Sequence, residues 1–323
     1  MYPLRVGAGK ACIDPPASEY PFPSTFGMMD EIRDSCYVRS IAIDNGEKKV
    51  LFVIYELADL PRVPDLEEKL GALWGIGKED VILCVSHNHS SPSDRCKFPC
   101  DEKKLELFLE IELEKGLEAV RQAVDSLRPA KWGYGEIESY CNVNRDLKTR
   151  FGFWVEGPAY TAYSNHTLAC VKFVDENDKV IAALLNFGAH AVCAFVQKDV
   201  DGKIKSSSNF PGIACRFVEE YYGDDCIVAW TSGAAGNQDP LLFDYQWLEY
   251  PDGYDMSGRN AAALFLLTAD EGLWQRVLWH FDNSGFDFPA IRLSGIHPEL
   301  YSIYQAAKTI SVGLQKKYLK WTK

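Results

Sequence analysis

Short apolar runs alternate with polar, glycine- and proline-bearing breaks through the first quarter of the chain. Arg5–Ile13, Tyr37–Ile43 and Val50–Leu57 have the length and composition of strands, and Asp44-Asn-Gly-Glu-Lys between the last two has the makings of a hairpin turn. The period then lengthens. Leu66, Leu70 and Leu73 share one helical face after Pro64, predicting a short helix that Gly75 ends. Val81-Ile-Leu-Cys-Val reads as a buried strand. The longest helix is expected from about Glu102 to Leu127, where Leu105, Leu109, Leu113, Val120, Val124 and Leu127 form an apolar stripe and Pro129 stops it. The many carboxylates of that helix read as a solvated face.

Period two returns at Lys131–Glu138 and Leu168–Val174, and Asp175–Lys179 turns tightly into the Val180 strand, predicting a second hairpin. Pro211–Gly223 reads as a helix with Asn209 as cap and Gly223 as terminator, followed by the strand Cys226-Ile-Val-Ala-Trp-Thr. Beyond about Tyr245 the pattern is less regular, with a helix near Ser257–Ala269, aromatic-rich loops and a basic end. No internal repeat and no linker stand out. The expectation is an α/β protein: a single mixed-sheet domain over residues 1–245 with helices packed on the sheet, and residues 246–323 as an irregular, partly helical appendage of the same domain.

Composition narrows the classes. With 323 residues, 47% hydrophobic and 25% charged, the chain has the makeup of a soluble globular protein, and no apolar run is long enough to form a transmembrane helix. A net charge of −12 without any strong basic patch argues against nucleic acid as a partner. Of the ten cysteines, Cys84, Cys170, Cys193, Cys215 and Cys226 sit inside apolar runs, where cysteine acts as a small buried hydrophobe. Met1-Tyr-Pro-Leu-Arg-Val has no secretory character. A reduced, cytoplasmic protein is expected.

Candidate chemistry gathers where strands end. The Val81 strand delivers His87 and His89 at alternate positions, which an extended backbone would point to one side. His190 follows the Val180 strand, and the Cys226 strand runs into a glycine-rich loop bearing Asn237 and Asp239. Ligands in open α/β folds bind beyond the carboxyl ends of strands, so these three segments suggest one shared site. Imidazoles are ready ligands for zinc. Cys96 and Cys100, close in sequence to His87, offer a competing ligand set. Ser206-Ser-Ser lacks the surroundings of a nucleophile elbow and reads as part of the loop leading into the following helix. Neither Gly7-Ala-Gly-Lys10 nor Gly233-Ala-Ala-Gly236 has the spacing of a phosphate loop.

Taken together in this order, several segments resemble the neutral/alkaline, non-lysosomal ceramidases and their shorter bacterial relatives. They are Val6-Gly-Ala-Gly-Lys-Ala-Cys-Ile-Asp-Pro-Pro, Phe26-Gly-Met-Met with Ile32-Arg-Asp, His87-Asn-His-Ser-Ser-Pro, Asn142-Val-Asn-Arg145, Asn186-Phe-Gly-Ala-His190, Ser207-Ser-Asn-Phe-Pro-Gly and Gly233-Ala-Ala-Gly-Asn-Gln-Asp-Pro. The resemblance implies that His87 and His190 bind zinc, and that His89 and Arg145 lie beside the scissile amide. That agrees with the chemistry: zinc catalysis leaves one coordination position open for water, and a cationic donor such as arginine stabilises the oxyanion.

Two departures are specific. Asp239 stands where the ceramidases carry a serine regarded as a nucleophile, so a serine mechanism through this position is impossible; aspartate could orient a histidine, act as general base, ligate metal, or merely cap the turn. The family's glutamate and tyrosine zinc ligands have no recognisable counterpart after Tyr245, leaving Glu56 and Asp239 as candidate substitutes and His280 and His297 as weaker ones. The expected function is zinc-dependent hydrolysis of a linear amide in a small N-acyl substrate, within lipid and specifically sphingolipid chemistry. The alternatives are a non-catalytic binding protein of the same fold, or a metal-dependent esterase or phosphatase.

Overall fold

The computed structural model describes residues 4–148, 154–194, 202–223 and 225–241. The expected helix near Ser257–Ala269, His280, His297 and the whole of the C-terminal appendage lie outside the described residues.

The α/β expectation holds, but the strands are shared between two mixed sheets rather than one. The first is built on β1 (Arg5–Cys12), β2 (Tyr37–Asp44), β3 (Lys49–Tyr55) and, after helix α1 (Leu66–Ala72), β4 (Val81–Val85). Its order is β4-β3-β2-β1, extended at the β1 edge by the short strand Arg128–Pro129. The hairpin between β2 and β3 forms as the sequence implies, with Gly46 at φ 82° and the Asp44 and Asn45 side chains accepting from the turn amides. The second sheet comprises β5 (Lys131–Glu138), β6 (Thr167–Val174), β7 (Val180–Phe187) and, after helix α3 (Asn209–Tyr222), β8 (Ile227–Ser232), in the order β8-β7-β6-β5. In each sheet the first three strands are antiparallel and the fourth, reached through a helix, pairs parallel to the third.

Three apolar clusters hold these layers together. Val6, Ile41 and Ile54 of the first sheet meet Phe173, Ile181, Ala182 and Ala229 of the second, so the sheets pack face to face. The outer face of the first sheet carries α1 and the long helix α2 (Glu102–Asp125), through Val38, Leu51, Val53, Leu66, Leu70, Phe108, Ala119 and Ala123. The outer face of the second carries α3, through Phe187, Val228, Trp230, Phe210, Ala214 and Cys215.

Helix α2 begins where expected, with the Asp101 carboxylate accepting from the Lys103 amide. Its buried face, however, is made of Phe108, Glu112, Gly116, Ala119, Val120 and Ala123, and Leu105 and Leu109 are only half-buried beside it. The reason lies in β1. A side chain at Gly7 would collide with the Ala123 carbonyl, and one at Gly9 with the Ala119 carbonyl, so the helix rests almost backbone to backbone on the strand and needs small residues there. The carboxylates of α2 are also not all solvated: Glu112 is buried. Burial, with the Asp94 charge adding to it, pushes its acid up to about 9 against the opposing pull of Arg95 and Arg62.

A buried ionic joint ties α3 and the second sheet to the first. Arg39 of β2 is fully buried, bonds Glu56 through Nε at 2.8 Å and contacts Glu219 of α3. Glu219 also accepts from the Val228 amide of β8 and from Lys10 of β1, at 2.9 and 2.7 Å. Burial opposes the Arg39 charge, but the adjoining Glu56 and Glu219 more than offset that and raise its pKa. Glu56 is thus committed to Arg39 and to the Tyr37 amide, and it is not available as a metal ligand.

Candidate metal centre

The carboxyl ends of the two parallel strand pairs lie side by side. Ser232 at the end of β8 donates to the Ser86 carbonyl just past β4 at 2.8 Å, and the His89 amide donates to the Ala191 carbonyl at 3.1 Å. Asn88 fastens the junction: it is fully buried, its amide donates to the Leu57 carbonyl, and its side chain donates to the Glu56 and Ser207 carbonyls while accepting from the Ser90 amide. Asn209 performs a second tie. Rather than capping α3 from outside, it stands at the first helical position with φ 57°, accepts from the Phe210 amide and donates to Ser90 and the Ala191 carbonyl.

This junction brings His87, His89 and His190 together, with one ligand nitrogen from each lying within 4.8 Å of the others. The His87 and His89 rings do face each other, but not because a strand continues through them. Strand β4 stops at Val85, and His87 takes a left-handed backbone conformation, φ 55°, that brings its Nε2 to 3.2 Å from that of His89. Strained backbone of this kind recurs at functional sites.

Two of the imidazoles are oriented by backbone carbonyls. Nδ1 of His87 lies 2.7 Å from the Ala58 carbonyl, and Nδ1 of His190 lies 2.5 Å from that of Ala235. A carbonyl can only accept, so each Nδ1 carries the proton and each Nε2 lone pair is directed into the cluster. Metal-binding histidines are typically fixed in this way. His190 is buried, and burial, then the neighbouring Arg145 and His87, lowers its pKa to about 4. Burial and the surrounding cationic groups lower His89 to about 3. Both imidazoles are therefore neutral at ordinary pH, the form that binds a cation. In a tetrahedral zinc site with Zn–N bonds of about 2.0–2.1 Å, ligand nitrogens stand ~3.3 Å apart. The 3.2 Å between His87 and His89 matches that spacing, and the 4.8 Å limit for the set calls for a small closing movement. The donor set fits zinc.

Arg145 enters from the other side. Asn142–Asn144 pairs antiparallel with Gln238–Pro240, so the Asn-Val-Asn-Arg segment and the glycine-rich loop run together, and Val143 lies opposite Asp239. The Arg145 guanidinium donates to the Gly236 carbonyl at 3.1 Å, to Glu156 at 3.1 Å and to Asp239 at 3.2 Å, and it reaches to 3.5 Å from His190 Nε2. Asp239 is fully buried. Its carboxylate faces Arg145 and is not a member of the histidine cluster.

The other sequence candidates fall elsewhere. Cys96 and Cys100 are neighbouring free thiols that do not join His87. The serine triplet is structural: Ser206 bonds Tyr20, and Ser207 and Ser208 both donate to Asp34.

Two features were not evident from the sequence. The orienting carbonyls of Ala58 and Ala235 carry no side-chain signature at all. A hairpin, Asp146–Lys148 against Trp154–Glu156, borders an open cavity of about 520 Å³ beside Arg145, lined by Arg145, Asp146, Trp154, Val155, Glu156 and Gly236. The unusual Phe-Trp-Val-Glu run at 153–156 was the available signal. Phe26 stacks on His89 at 4.8 Å between ring centroids.

No protein-family model matches the chain, and no curated protein matches it in sequence. Solved structures do. The neutral ceramidase from Pseudomonas aeruginosa superposes with a TM-score of 0.61 at 19% identity, over 83% of this chain and 44% of that one. A ceramidase complexed with C2 gives a TM-score of 0.61 and 19% identity, over 83% and 43%. The fold is thus ceramidase-like, and the chain spans less than half the length of those proteins.

Proposed function

We propose that the protein is a zinc-dependent hydrolase of linear N-acyl amides, acting on a small-molecule substrate of ceramidase-like chemistry. The observation that carries this reading is the convergence of His87, His89 and His190, contributed by two sheets, with Nε2 lone pairs of His87 and His190 fixed inward by backbone carbonyls. His87 and His190 would hold the zinc, with His89 close enough to complete a three-nitrogen set. When bound there, zinc supplies Lewis acidity and lowers the pKa of water to about 7.

The chain's own residues supply the rest. Arg145 presents its guanidinium to the same space and donates to the carbonyl oxygen as it gains charge in the tetrahedral transition state. Asp239 and Glu156 hold that guanidinium in place, which makes Asp239 a positioning residue rather than a nucleophile. His89, neutral and stacked on Phe26, hydrogen-bonds the reacting amide. The cavity beside Arg145 falls within the ~300–1,000 Å³ range of small-molecule sites. All ten cysteines are free thiols, and no described helix is long and apolar enough to cross a membrane. A reduced, cytoplasmic setting suits that thiol content.

Elemental analysis of the wild type, His87→Ala and His190→Ala is the decisive measurement. About one zinc per chain is expected in the wild type and a small fraction of that in either variant, with parallel loss of hydrolysis across a panel of N-acyl amines. Stoichiometric metal surviving both substitutions would overturn the proposal. Faster turnover of esters or phosphate esters than of amides on the same panel would reassign the reaction.

A further inference from the structure

The two carbonyls that orient the site are held in place by different means. Ala235 belongs to a tight turn of its own: its amide donates to the Gly233 carbonyl at 2.7 Å, and its carbonyl accepts from the Gln238 amide at 3.0 Å as well as from His190. Ala58 has no such turn. It lies within residues 56–65, a stretch between β3 and α1 that is neither helix nor strand, so its carbonyl stays against His87 only if the loop is anchored on both sides. Before it the anchor is Asn88, whose amide donates to the Leu57 carbonyl at 2.9 Å. After it the anchor is Asp94.

Asp94 is 2% exposed. Its carboxylate accepts from the Arg62 amide at 2.8 Å, from Arg62 Nε at 3.2 Å and from Arg95 Nε at 3.2 Å. The Arg62 guanidinium returns a bond to the Asp94 carbonyl, and Arg95 Nη2 donates to the Leu60 carbonyl at 2.6 Å. Asp94 stands in the same loop as His87 and His89, so one buried carboxylate closes the segment that bears the imidazole onto the segment that bears its acceptor. An exposed ion pair would contribute little. A buried carboxylate that accepts a backbone amide fixes main chain, and a charged acceptor makes that bond a strong one. We propose that Asp94 is a positioning residue for His87, acting through Arg62, Arg95 and the main chain of residues 60–62 to keep the Ala58 carbonyl against Nδ1. Its consequence for metal rests on the zinc-hydrolase reading, because a ring free to turn offers zinc a poorer ligand; its consequence for the imidazole itself does not. His190 is the control, since Ala235 is held by its own turn.

The test uses the full chain, first without metal, by proton–nitrogen NMR at about pH 8, above the ordinary imidazole range. An Nδ1 proton bonded to a carbonyl exchanges slowly with water. Asp94→Asn is expected to speed exchange at His87 Nδ1 by about tenfold, the scale of one lost hydrogen bond, while His190 Nδ1 keeps its wild-type rate. Arg95→Gln, at a half-exposed side chain, should move the same signal by less, and it decides the matter if Asp94→Asn does not fold. An unchanged His87 signal in a folded variant overturns the proposal. Equal acceleration at both histidines overturns it too, because that is the result of a general loosening of the fold. Chelator competition then measures the consequence for metal: zinc should bind Asp94→Asn about 10–100-fold more weakly than wild type, and undiminished affinity overturns the role in metal binding. A wild-type chain that binds no zinc at all sinks the hydrolase reading and leaves the exchange rates to decide this one.

Discussion

The five-stranded and four-stranded sheets are built to one plan, yet each gives the site something different. In the first, the loop after the parallel strand β4 donates imidazoles and the loop after β3 donates the orienting carbonyl of Ala58. In the second the roles are exchanged: His190 follows β7, and Ala235, past the parallel strand β8, provides the carbonyl. His87 and His190 are therefore each aligned across their own parallel pair. The lesson is that the arrangement needs only adjacent strand ends, since a carbonyl from any residue serves, whereas the imidazoles must be placed on the side where the two sheets abut. Position on the shared plan, not a shared motif, determines which loop carries chemistry.

Cutting the joint between the two halves should have the largest effect. Arg39→Met strands Glu56 as a buried carboxylate and leaves Lys10 as the cation beside Glu219, and breaking a buried pair in this way costs about 3–5 kcal/mol. Chemical denaturation would report it as a fall in midpoint. Near-wild-type stability would show that the sheets are held by the apolar interface alone.

Asp239→Asn probes the contribution of the chain beyond β8, paired with Asn142–Asn144, without touching a histidine. Loss of an oxyanion donor costs about 10²–10³-fold in kcat, and loosening Arg145 should cost less, about tenfold, with KM little changed. A large fall in zinc content instead of kcat would place Asp239 with the metal rather than with Arg145.

A pH-dependent effect concerns α2, which has no described counterpart on the second sheet. Glu112 keeps its proton in the folded state up to about pH 9, whereas the unfolded chain releases it in the ordinary carboxylate range. Between those limits the folded state binds more protons, so stability falls as pH rises. Glu112→Gln should flatten that slope from pH 5 to 9 while changing stability little at the acidic end. An unaltered slope in pH-dependent unfolding would mean that Glu112 ionises normally.

Much of the fold is legible in the sequence. Hydrophobic period alone marked β1 to β8 and all three described helices to within a few residues, because each element buries one face and the pattern of burial is written at its own spacing. The identity of the site histidines was legible too, since His87, His89 and His190 each fall just beyond an apolar run. What local pattern misjudged was the centre of the packed face of α2: Val120 is buried and Leu113, Val124 and Leu127 do pack against the core, but the close approach over Gly7 and Gly9, on a strand more than a hundred residues away in sequence, puts Ala119 and Ala123 at its centre.

From sequence alone came the elements, their order, and the types of residue able to bind a metal, because propensity and solvation act on neighbours along the chain. Tertiary structure alone divided the strands between two sheets, reserved Glu56 for Arg39 and Asp239 for Arg145, and turned His87 left-handed so that its ring meets those of His89 and His190. Those outcomes depend on which distant groups share a low-dielectric interior, where each buried charge takes the nearest partner and each buried polar atom must find a bond. Contacts of that kind are set by three-dimensional neighbourhood, which no one-dimensional pattern encodes.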